Sequence, residues 1–183
     1  ATQILVQWSA TAANPPHLYN ASAVGVYGCH PGDHEPYTET SQLPAPQSFL
    51  AEVGQAWEAA AKAPGVPLTI MRFGVVLQPG EGMLKKLAPS FKLGLGAVIG
   101  SGQQILSWIA VQDLVRAIQF LIQRPHETGV FNLCSPNPLS NKAFSKQYAH
   151  TLHRPCWLTM PACVVKALFG QMGQELLLSG QKV

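Results

Sequence analysis

Hydrophobic and polar positions along this chain follow two periods in turn. Near the start, Ile4, Leu5 and Trp8 stand at i, i+1 and i+4, which predicts a helix over residues 1–10. The Asn14-Pro15-Pro16 breaker closes it. Residues 17–22 then read as a short buried strand that ends in the small residues Ala21, Ser22, Ala23 and Gly25. Residues 28–47 mix Gly, Pro, His and acids without period and predict a long surface loop. From Ser48, a suitable N-cap, the period turns helical through Phe49, Leu50, Val53, Ala56, Trp57 and Ala60, up to the Pro64-Gly65 stop.

The longest apolar stretch, residues 66–77, predicts one buried parallel strand. A helix follows at 83–91, a short strand-like run at 105–108, and a helix at 111–123 with Leu114, Ile118, Leu121 and Ile122 inward. Residues 129–134 read as another buried strand. Ser140-Asn141 caps a helix through Leu152, and the remainder reads as two short helical segments. Strands alternating with helices predict an α/β fold with a parallel sheet.

Composition narrows the class of function. The chain has 183 residues, 47% hydrophobic and 11% charged, which excludes a disordered segment and allows a real core. No apolar run reaches the roughly 18 residues needed to cross a bilayer, so no membrane span is expected. Twelve basic against nine acidic residues give +3, too weak a balance to argue for nucleic acid. The cysteines at 29, 134, 156 and 163 form no CxxC pair and read as reduced thiols of a cytoplasmic protein. The first helix lacks a leading cap and the last residues stop abruptly, so both ends read as cut.

Three local patterns could carry chemistry. Gly94, Gly96 and Gly100 imitate a dinucleotide fingerprint, but no strand precedes them, no helix follows and the spacing is one residue too long. A glycine-rich loop on the substrate side is the better reading. Cys29, His30, Asp33 and His34 could be drawn together as a metal site, but a Pro- and Gly-rich loop meets zinc geometry only by chance, so no metal is expected. Ser22 stands where a strand meets a glycine-containing turn, the place where open α/β sheets put ligand-binding groups. A small residue chosen for packing explains it equally well.

Several segments in order carry a resemblance. They are Ala-Ser-Ala-Val-Gly-Val-Tyr-Gly at 21–28, Phe-Leu-Ala-Glu-Val at 49–53 with Trp-Glu-Ala-Ala at 57–60, and Arg-Phe-Gly-Val-Val-Leu at 72–77. The Phe-Lys-Leu-Gly-Leu-Gly run at 91–96, Ile99 to Gly102, Trp108-Ile109 with Asp113-Leu114, and Gly-Val-Phe-Asn-Leu at 129–133 with Ser135-Pro136 complete the set. Together they resemble the atypical extended short-chain dehydrogenase/reductases known as epimerase family proteins. The resemblance implies a Rossmann-type, doubly wound parallel sheet binding NADP(H), with NAD(H) as the alternative. It implies that residues 1–153 are the C-terminal half of the cofactor- and substrate-binding domain, and that 154–183 begin a small helical C-terminal domain. The glycine-rich phosphate loop would precede Ala1.

By the same resemblance, Ala21, Ser22, Arg72, Phe73, Gly74 and Val75 lie beside the cofactor, and Ser22 meets a substrate carbonyl or hydroxyl. Ordinary members carry Tyr-x-x-x-Lys on a helix; Phe49 and Val53 stand at the matching positions and supply neither a proton nor a charge. Tyr27 is then the substitute proton donor, assisted by Ser22. Classical relatives often place a histidine where Ala110 stands. Trp108, Met83 and Phe91 would face the substrate cleft, against the competing reading that they are core. The implied function is that of an NADP(H)-dependent oxidoreductase or epimerase-like protein for a small carbonyl, hydroxyl or nucleotide-sugar substrate, in a homo-oligomer or alone. The rival is a non-catalytic NADP(H) sensor or scaffold that has lost the acid/base pair.

Overall fold

The computed structural model describes residues 1–30, 32–167 and 177–183. The chain opens with α1 (Thr2–Thr11), β1 (Leu18–Ala23), a single 3-10 turn (Val24–Tyr27) and α2 (Phe49–Ala60). It continues with β2 (Leu68–Phe73), β3 (Val75–Leu77), α3 (Gly82–Lys92), β4 (Ala97–Ile99), β5 (Ile105–Leu106), β6 (Trp108–Ala110) and α4 (Val111–Ile122). The last elements are β7 (Gly129–Leu133), β8 (Leu139–Ser140), α5 (Asn141–Thr151) and β9 (Leu158–Met160). The central sheet is parallel, in the order β1-β2-β7, with Ser22 beside Arg72 and Arg72 beside Asn132. This is the α/β fold with a parallel sheet that the alternating pattern predicts, and it agrees with the Rossmann type that the resemblance implies.

The helix caps follow their sequence signals. Ser48 accepts from the Ala51 amide and Ser140 from the Ala143 amide, each at 3.2 Å, so the first turns are satisfied by side chains. α4 lays Leu114 and Leu121, with Ile118, over Met71 and Leu133 of the sheet and Ile109 of β6 to form the main core. Ile122 departs from expectation and is half exposed, because it falls beyond the edge of that stripe.

The 66–77 run is not one strand. Gly74 divides it: its amide bonds to Leu133 of β7, and the next amide, Val75, bonds to Ser107 at 2.8 Å. β3 thereby leaves the central sheet and pairs with β6. The 105–108 run is likewise two strands, β5 and β6, parted by Ser107. Gly94–Gly100 is not all loop, since β4 lies within it and pairs with β9. β9 also replaces the first part of the expected helical tail. Residues 162–167 are helical, while the second helical segment lies outside the described residues.

α2 differs in a way that matters for the site. Its large apolar residues are not its inner face: Phe49 is 64% exposed, and Val53 and Trp57 are each 45% exposed. The buried positions are Ala51 and Glu58, seven apart. A Cβ on Gly54 would come within 2.7 Å of Val26 Cγ1, so the small face lies tight against the 3-10 turn. Ile4, Leu5 and Trp8 on α1 are exposed too, and Val6 and Ser9 are its buried residues.

Candidate active site

The carboxyl ends of β1 and β2 carry a buried polar cluster. Arg72 on β2 and Glu58 on α2, each 4% exposed, form a two-pronged ion pair: Nε to Oε1 at 2.8 Å and Nη2 to Oε2 at 2.7 Å. Ser22 at the end of β1 donates its hydroxyl to Glu58 Oε1 at 2.7 Å. The remaining Arg72 nitrogen, Nη1, donates to the Tyr27 hydroxyl at 2.8 Å. Tyr27 in turn bonds the Thr38 carbonyl and Asn132 Oδ1, both at 3.0 Å.

Burial pushes the Glu58 carboxyl up, but the bonds from Arg72 and Ser22 outweigh it and hold the group below its ordinary range. Burial likewise acts to lower the Arg72 value, and the bonds to Glu58 and Tyr27 reverse it, leaving the guanidinium more firmly protonated. Both charges are therefore permanent at neutral pH. Every buried side-chain polar atom of the described residues has a hydrogen-bond partner.

Against this cluster lies a cavity of about 440 Å³. Its floor is Ser22 to Val26 and Phe73 to Val75, and α2 contributes Leu50, Val53, Gly54 and Trp57. Ile105 to Ser107 and the tail residues Ser179 to Gln181 complete it. The wall carries no Asp, Glu, Lys, Arg or His side chain among the described residues. Serines, Cys29 and Gln181 supply polar side chains to it. Such a cavity suits a neutral ring and excludes water around it; phosphate groups need a different surface.

The residues singled out from sequence divide into two sets. Ser22, Phe73, Gly74 and Val75 share the cavity wall, with Val53 opposite. Ala21, Arg72 and Tyr27 lie behind it. Tyr27 is fully buried, with its hydroxyl enclosed by Arg72, Thr38 and Asn132, so the geometry gives that phenol no path to a ligand in the cavity. Phe49 lies outside the wall. Phe91 is buried in the core and, with Met83, lines a separate small cavity beside α5, while Trp108 lines neither and bonds the Asn137 carbonyl at 3.1 Å. Glu58 escaped the sequence reading as a site residue. The available signal was its place seven residues after Ala51, on the small-residue face of the helix.

The glycine-rich 94–100 segment holds no helix N-terminus for a phosphate, consistent with its rejection as a fingerprint. Cys29, His30, Asp33 and His34 do not assemble a ligand set, and no group of three or more His, Cys, Asp or Glu could hold a metal among the described residues. Cys134, behind Gly74, has its thiol pushed up to about 11 by burial and is held in the unreactive form. No helix among the described residues is long and apolar enough to cross a membrane.

A parallel α/β sheet with a mainly apolar cavity at its strand ends is the arrangement of Rossmann-like nucleotide-binding proteins. The chain belongs to the NAD dependent epimerase/dehydratase family, whose model matches residues 1–134. It is 40% identical over 168 residues to an epimerase family protein of Mycobacterium tuberculosis, a match covering 90% of this chain and 54% of that protein. The crystal structure of human epimerase family protein SDR39U1 with NADPH superposes with a TM-score of 0.88 at 33% identity, covering 100% of this chain and 62% of that one. The nucleoside-diphosphate sugar epimerase of Corynebacterium glutamicum gives a TM-score of 0.69 at 32% identity over 96% of this chain and 41% of its own. The chain thus spans roughly half the length of these relatives.

Proposed function

We propose that the protein is an NADP(H)-dependent oxidoreductase or epimerase-like enzyme for a small carbonyl, hydroxyl or nucleotide-sugar substrate, and that the cavity receives the nicotinamide ring with the reacting part of the substrate. The observation that carries this reading is the neutral, largely apolar cavity at the carboxyl ends of β1 and β2. The human relative crystallised with NADPH supports it. The cofactor would supply hydride chemistry. Phe73, Gly74 and Val75 form the wall along the ring, and Ala21 and Arg72 hold that wall from behind. Ser22 is the hydroxyl that meets the ligand. Tyr27, enclosed in the cluster, acts as a positioning residue by fixing Arg72.

Two measurements test the reading. NADPH fluorescence titration of the intact gene product is expected to show binding, and Val53→Trp, which fills the cavity from α2, is expected to weaken it at least tenfold while leaving the thermal midpoint nearly unchanged, since Val53 is half exposed. Unaltered NADPH affinity in that variant places the ring elsewhere. Screening aldehydes, ketones and nucleotide sugars for NADPH oxidation then tests the chemistry. A second reading, a non-catalytic NADP(H) sensor, is favoured by one feature: the described wall has no carboxylate, imidazole or amine to move a proton. Binding without turnover on any substrate selects the sensor.

A further inference from the structure

The Ser22 hydroxyl has one proton, and its place is determined by its neighbour. Glu58 is an ionised carboxylate and can only accept, so the 2.7 Å contact uses the serine proton. Oε1 of Glu58 cannot turn away, because Arg72 grips both carboxylate oxygens at 2.8 and 2.7 Å. Arg72 cannot shift either, since its third nitrogen is fixed on the Tyr27 hydroxyl. The chain of contacts Tyr27–Arg72–Glu58–Ser22 therefore leaves only the lone pairs of Ser22 Oγ for the cavity.

We propose that Ser22 is a locked hydrogen-bond acceptor, and that the cavity selects at this point for an O–H or N–H donor on its ligand over a bare carbonyl oxygen. This rests on the reading that the cavity holds the nicotinamide ring and substrate, and it narrows that reading. To serve a carbonyl, Ser22 must withdraw its proton from a charged, buried acceptor, and a hydrogen bond to a charged group is about twice as strong as a neutral one. A ligand hydroxyl or amide N–H meets no such penalty. Two other serines of the wall are arranged differently: Ser48 caps α2, and Ser107 donates to the Gln181 carbonyl at 2.8 Å and accepts from the Val183 amide at 3.1 Å.

The donor can belong to the carboxamide of the nicotinamide or to a substrate hydroxyl, and two arms separate these sources. In the first, the intact gene product is titrated with NADPH and with the reduced 3-acetylpyridine analogue, in which a methyl ketone replaces the carboxamide and its N–H donors. In the second, the NADPH-saturated protein is titrated with cyclohexanol and with cyclohexanone by saturation-transfer NMR. The donor-bearing member of one pair is expected to bind roughly fivefold more tightly, the value of one neutral hydrogen bond. Ser22→Ala is expected to remove that preference, and Ser22→Thr to keep it. A merely structural serine would shift both members of a pair equally. Equal affinities in both arms, or tighter binding of the ketones, overturn the locked acceptor while the cavity reading stands. Failure of NADPH and of both cyclohexyl probes to bind the wild-type protein removes the cavity reading, and the proposal with it.

Discussion

Arg72 joins Glu58 to Tyr27 within the buried cluster. Removing it leaves the Glu58 carboxylate buried with one bond from Ser22 and nothing to balance its charge. Breaking a buried ion pair from one side costs about 3–5 kcal/mol, so Arg72→Ala is expected to lower the urea midpoint by a large part of total stability. Tyr27→Phe is milder, since it removes the hydroxyl partner of one guanidinium N–H, the Thr38 carbonyl and Asn132 Oδ1, and about 1–3 kcal/mol is expected. The pH dependence has a definite sign. A carboxyl held below its unfolded value of about 4.3 adds stability above that pH and loses it as pH falls through the lower folded value. Denaturant melts between pH 6 and pH 3 should therefore show a drop in the wild type that is much reduced in Glu58→Gln. A parallel drop in that variant would assign the acid sensitivity to other carboxyls.

At the scale of elements, Gly74 is the hinge of the sheet. A Cβ there would meet the Ser107 carbonyl oxygen at 2.8 Å and Cys134 Sγ at 3.0 Å. The first contact is backbone and cannot yield, so Gly74→Ala is expected to destabilise by about 1–3 kcal/mol and to disturb the cavity wall at Phe73 and Val75. A thermal melt beside an NADPH titration measures both. The same glycine shows where sequence reading succeeds and where it stops. α2 and α5 were legible because Ser48 and Ser140 are caps with a local signature. The β2–β3 break was not, because Gly74 sits inside a continuous apolar run and what divides the strand is a partner more than thirty residues away. The inner face of α2 was not legible for a related reason. Large apolar residues mark a helical period whether or not anything covers them, while close approach to Val26 demands the small residues Ala51 and Gly54. Ser22 was visible at its strand end. Its bond to Glu58 was not, since the two are 36 residues apart and meet only through the fold.

At the scale of the molecule, the roof of the cavity is held by a clamp between the 28–37 loop and the tail at 180–183. His30 and Gly180 exchange backbone bonds at 3.2 and 2.9 Å, and the Tyr37 amide bonds the Lys182 carbonyl at 2.8 Å. The Lys182 amide donates to His34 Nε2 at 3.1 Å, and Lys182 Nζ pairs with Asp33 at 2.9 Å. The other ring nitrogen of His34, Nδ1, faces the Glu35 carbonyl at 2.7 Å and must donate to it, so Nε2 accepts only while the ring is neutral. Against His34 pack the rings of His30, at 4.1 Å, and Tyr37, at 5.3 Å. Burial and the neighbouring His34 both lower the His30 value, so the folded clamp resists protonation at His30. A lowered histidine adds stability above its unfolded value of about 6.5 and loses it as pH falls below. Acidification should therefore loosen the roof before it reaches the Glu58–Arg72 pair. Hydrogen exchange of the Lys182 and Gly180 amides, corrected for intrinsic rates, should lose protection as pH falls from 7.5 to 5.5 while β1 and β2 amides keep theirs. In His30→Gln, which removes that titration, most of the pH dependence at Gly180 and Lys182 should disappear. Undiminished dependence in that variant would move the switch away from His30 and its contact with the Tyr37 hydroxyl at 3.0 Å.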